Sequence, residues 1–129
     1  MKPKILTLLF VLLFSFLTMD ASLYKEYMEF KGGLGSEKIA GGIAMTDSKT
    51  FGTFCYYDTK SHGTGLYNLI CTSCKSLGKG KYQINFKVEK DGKKQGTWSV
   101  TFNSNTRKIT GTMKDLNGKS LKIDCYEWR

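Results

Sequence analysis

The segment Tyr82-Gln83-Ile84-Asn85-Phe86-Lys87-Val88-Glu89 alternates apolar and polar residues without a break. Successive side chains of an extended strand point to opposite faces, so a period of two predicts a half-buried strand and argues against an amphipathic helix. Trp98, Val100 and Phe102 repeat the pattern against Thr97, Ser99 and Thr101. Between the two runs stands Asp91-Gly92, a hairpin signal because glycine accepts a positive φ. Asn103-Ser104-Asn105 turns the chain into a strand over 108–114 with Ile109, Gly111 and Met113 inward. Asp115-Leu116-Asn117-Gly118 turns it into a last strand with Leu121, Ile123 and Cys125 on one face.

The first half follows the same rhythm less regularly. Strands are expected over 24–31, ending at Gly32-Gly33, over 38–46 with Ile39, Ile43 and Met45 on one side, over 51–58, and over 66–72 after a polar loop at 59–65. The chain is therefore read as all-β, a single antiparallel meander of about eight strands. It makes a closed or nearly closed up-and-down barrel, with a β-sandwich as the alternative. One domain over 23–129 accommodates it.

Gly52-Thr53-Phe54, Gly96-Thr97-Trp98 and Gly111-Thr112-Met113 form a short internal repeat, and strand glycines are expected to mark bulges or bends. The strand Gly52-Thr53-Phe54-Cys55-Tyr56-Tyr57, followed by hairpins that set Gly before a bulky residue, resembles small exported bacterial β-barrels of the lipocalin and avidin-like group. The resemblance spans 24–128 as a strand rhythm and implies a small β-barrel, a fold more than a function. The chain departs from lipocalins in lacking their Gly-x-Trp start on the first strand, so no ligand-binding residue is carried over.

Lys2 and Lys4 precede a nearly unbroken apolar run from Ile5 to Leu17. This is the pattern of a secretory signal peptide over 1–22, and the run falls short of the roughly 20 residues a spanning helix needs. No membrane span is expected once the leader is removed, and the protein is expected to be secreted or periplasmic. An oxidising compartment makes Cys55, Cys71, Cys74 and Cys125 candidates for disulfides. Two long-range bridges are expected, with Cys125 joined to Cys55, Cys71 or Cys74, because long loops lose the most unfolded-state entropy on closure. Cys71-Thr72-Ser73-Cys74 also has the spacing of a redox pair or half a zinc site. A redox pair ordinarily sits at a helix N-terminus, which is not expected here.

Catalysis finds little support. The 129 residues hold one histidine, His62, expected as an exposed loop residue, and the carboxylates are scattered. No enzymatic activity, metal or cofactor is expected. Lys+Arg exceed Asp+Glu by 20 to 11, a net charge of +9. Lys87, Lys90, Lys93 and Lys94 crowd one hairpin and Lys75, Lys79 and Lys81 another, either as a patch for an extracellular protein or polyanion or as guards of strand edges. Phe54, Tyr56, Tyr82, Phe86, Trp98 and Phe102 are expected to face one interior, filling it or lining a cavity for a small apolar or aromatic ligand. Tyr56, Tyr82 and Trp98 would then orient the ligand through their polar tips. The leading expectation is a monomeric, non-enzymatic binding protein. The alternative is an interaction or inhibitor domain acting through loops and the basic face.

Overall fold

The computed structural model describes residues 24–59, 62–63 and 65–128, and every regular element in them is a strand. The strands are β1 (Tyr24–Leu34), β2 (Glu37–Thr46), β3 (Thr50–Tyr57), β4 (Tyr67–Gly78), β5 (Lys81–Lys90), β6 (Lys93–Asn103), β7 (Lys108–Asp115) and β8 (Ser120–Glu127). They pair antiparallel in chain order, and β8 returns to β1 to close the barrel. Closure decides between the two architectures, against the sandwich. The leader reading of 1–22 falls outside the described residues.

Two boundaries differ from expectation. β1 continues through Gly32-Gly33, which pair with Ile39 and Lys38 on one side and Cys125 and Asp124 on the other, and the turn comes at Gly35 (φ 61°). β4 runs well past Thr72, because a register shift between Cys71 and Ser73 breaks the alternation without ending the strand. Asp91 (φ 53°) and Gly92 (φ 77°) form the expected tight turn between β5 and β6.

The inner face holds one core cluster to which every strand contributes. Trp98 on β6 reaches Phe54 on β3 (centroids 4.9 Å, stacked), Phe30 on β1 (6.3 Å) and Phe86 on β5 (6.4 Å, edge-on). Rings from four strands thus meet across the axis, and at this level side chains fill the barrel. The glycine repeat explains how they fit. Gly52, Gly96 and Gly111 all stand on the inner face, each two residues before an inward Phe54, Trp98 or Met113, so small alternates with large. Only Gly96 lies beside a register shift, so Gly52 and Gly111 are spacers rather than bulge markers. Gly41 serves the rings directly: a Cβ there would stand 2.8 Å from both the Phe30 ring and Phe54 Cβ.

The two ends of the barrel differ. The distal end carries the β1–β2, β3–β4, β5–β6 and β7–β8 connections, and there His62 stacks on Tyr56 at 3.8 Å and 7°. His62 is half-buried, not the exposed loop residue expected, because the long β3–β4 connection folds its ring onto the barrel mouth. The proximal end carries the β2–β3, β4–β5 and β6–β7 turns beside Tyr24 and Trp128. Arg107, in the β6–β7 turn, clasps the β1–β8 seam there. Its Nη2 donates to Tyr27 O (2.6 Å), Nε and Nη2 both donate to Glu127 Oε2 (3.2 and 3.0 Å), and Nη1 reaches Glu26 Oε1 (3.4 Å).

Candidate functional site: a cleft at the proximal end

Unequal strand lengths open a cleft beside the core. β3 begins at Thr50 and pairs with β4 only where Phe51–Phe54 meet Ile70–Tyr67. Beyond that ladder, among the described residues, β4 pairs with β5 alone, so the β4–β5 hairpin overhangs the barrel and stands apart from the β2–β3 turn. The gap measures about 410 Å3 and is lined by Lys25, residues 45–50, Cys71, Cys74, Ser76 and Tyr82.

Both walls are built by local hydrogen bonds. On the β2–β3 side, Thr46 Oγ1 accepts from Ser48 N (3.3 Å) and Lys49 N (2.9 Å), while Thr46 N donates to Lys49 O (2.7 Å). On the β4 side the bulge is pinned. Thr72 Oγ1 donates to Asn85 O (3.2 Å), and Asn85 Nδ2 donates to Ser73 Oγ (2.8 Å). The bulge has a chemical consequence. Residues three apart on a regular strand face opposite ways, but here Cys71 lies opposite Phe86 and Cys74 opposite Ile84, both inward residues. The two thiols therefore share the cleft wall, Cys71 half-buried against the core and Cys74 exposed. Burial, and secondarily Cys74, pushes the Cys71 thiol above its ordinary pKa.

The rim is positive. Lys25 Nζ lies 5.8 Å from the Tyr82 ring centroid and Lys49 Nζ 5.4 Å from that of Phe51, with Asp47 the one carboxylate in the lining. Lysines stacked on rings keep their charge in water while holding the aromatic face against them.

The six aromatics expected to face the interior do so, all buried. Of these, only Tyr82 also lines the cleft; Phe54, Tyr56, Phe86, Trp98 and Phe102 pack in the core. Trp98 Nε1 is buried without an acceptor among the described residues. Burial pushes the Tyr56 hydroxyl up, with Tyr67 and Glu37 adding to the effect. Sequence reasoning missed Lys25, Met45, the 46–50 turn and Ser76, since nothing local marks residues brought together by a short β3 and a long β4. Among the hairpin lysines, Lys87 pairs with Glu89 (3.0 Å) and Lys90 lies over Tyr67 (5.0 Å), while Lys93 and Lys94 are exposed.

The expected long-range disulfides are not formed: all four cysteines are free. The register explains why. Cys125 faces inward on β8 beside Ile109, its Sγ 4.0 Å from Gly33 O. Cys55 faces outward on β3, buried with Ala40 under Tyr57, Leu66 and Trp128. Burial pushes the Cys55 thiol up to about 11 and, with a smaller contribution from Asp124, that of Cys125 up to about 12. Among the described residues no three His, Cys, Asp or Glu side chains come together as a metal site, and no helix is long and apolar enough to cross a membrane.

Comparison with family models, with curated proteins and with solved structures finds no match for this chain.

Proposed function

We propose that the chain is an exported, non-enzymatic binding protein that takes a small aromatic or apolar molecule carrying a negative group. The observation that carries this reading is the proximal cleft of about 410 Å3, in which Tyr82 and Met45 offer apolar surface beneath Lys25 and Lys49. Its volume falls within the roughly 300–1,000 Å3 typical of small-molecule sites. The ligand's place moves from the barrel axis, where the Trp98 cluster packs, to the mouth beside it. The alternative, an interaction domain using the basic face, draws weaker support because Lys87 and Lys90 already have partners.

The test is titration with anilinonaphthalene sulfonate, a fluorescent aromatic anion, under metal-free conditions. Saturable uptake at one site is expected. Ser76→Trp should abolish it by filling the cleft, and Lys49→Glu should weaken it roughly tenfold by reversing a rim charge. Uptake unchanged by Ser76→Trp in a folded protein overturns the reading.

A further inference from the structure

The sulfur atoms of this cleft carry a second inference, independent of the organic ligand. We propose that Cys71, Cys74 and Met45 bind one soft, thiophilic metal cation of the Cu(I) type on the inner wall of the proximal cleft. Three observations converge on it. The pinned bulge places two thiols on the same wall, one half-buried and one open to solvent. Met45 lines the same cleft from β2, as do its register partner Thr50 on β3 and Cys71 on β4. Lys25 and Lys49 stand on the rim, with Asp47 the one carboxylate among the described lining residues.

Ligand softness and charge select the ion. Thiolate and thioether donors favour soft cations over Mg2+ or Ca2+, which prefer oxygen. A positive rim opposes a hard dication held by neutral oxygens. It favours a complex that is itself an anion: two thiols release two protons and Cu+ binds the pair, leaving one net negative charge beside the lysine ammoniums. Cys74 gives the ion an accessible first ligand, and Cys71 and Met45 draw it against the core. The hydrogen bonds at Thr72, Ser73 and Asn85 fix the sulfur wall without using the sulfurs, so it is formed before the ion arrives.

The experiment is anaerobic titration of the reduced full chain with Cu(I) against bicinchoninate, a competing chelator. Transfer of one Cu(I) per chain is expected, with sulfur-only scattering in the copper X-ray absorption spectrum. Cys71→Ser and Cys74→Ser should each weaken binding by at least about a hundredfold, and the size-conserving Met45→Leu by about tenfold. Cys55→Ser, on the outer face, should leave binding unchanged, and circular dichroism checks that each variant is folded. No transfer from bicinchoninate overturns the proposal, as does unchanged transfer to a folded Cys71→Ser/Cys74→Ser protein. Thiol titration showing Cys71 and Cys74 joined as a disulfide that survives mild reductant also overturns it. The dye and copper titrations are separate, so either reading can fail alone.

Discussion

At the scale of single residues, Trp98 and Arg107 do the most. Trp98 touches rings from three other strands, so Trp98→Ala should lower stability by about 3–5 kcal/mol in urea denaturation. Trp98→Phe should lose well under half of that, because it also removes a buried N–H that has no acceptor among the described residues. Arg107 holds a left-handed conformation (φ 58°) and joins the β6–β7 turn to β1 and β8. Arg107→Ala should lose about 2 kcal/mol, and Arg107→Lys should restore less than half, since an ammonium cannot fork to Tyr27 O and Glu127 together. The buried thiols set a pH limit. Folding raises their pKa values, so the folded state keeps protons that the unfolded chain gives up above about pH 9. Stability should be full below that value and fall between pH 9 and about 11–12. A denaturant midpoint unchanged from pH 8 to 10.5 would contradict this, and Cys55→Ala should flatten part of the slope.

At the scale of elements, β4 separates what could be read from what could not. β5 and β6 were legible because every inward position from Tyr82 to Val88 and from Trp98 to Phe102 is apolar, and the turn between them carries Asp-Gly. The second half of β4 was not. Thr72 is the extra residue of the bulge, so Ser73, Lys75 and Leu77 fall out of phase with Tyr67 and Leu69 and read as polar loop. The cleft inherits that illegibility, because it depends on where two strands end relative to each other. The inward thiols could have been found only by allowing a one-residue slip between Cys71 and Cys74. Arg107 was equally hidden: its partners Tyr27 and Glu127 lie far away in sequence. Deleting Thr72 should leave both thiols inward, since Ser73 would then oppose Asn85 in a regular ladder, but it removes the bend that sets the overhang. The deletion variant should melt within a few degrees of the parent while losing dye uptake.

At the scale of the whole molecule, the ladder is uneven. β1 and β8 share five residue pairs and β3 and β4 only four, against ten between β5 and β6. Hydrogen exchange should therefore begin in 72–78 and at the β1–β8 seam, and reach 82–88 last; early exchange at Phe86 would contradict this order. The overhang of β4 has one more consequence. A barrel removes its edges by closing, yet this one leaves a stretch of main chain along the cleft with no strand paired on its β3 side among the described residues. That stretch is a template onto which a second molecule could add its own backbone. It is defended by what it carries: the charged Lys75 and Lys79, the flexible Gly78 and the kink at Thr72, each of which spoils a straight docking surface. The same short run that opens the cleft is thus the place where edge-to-edge association is opposed, and neutralising Lys75 and Lys79 together should turn a clear solution turbid on concentration.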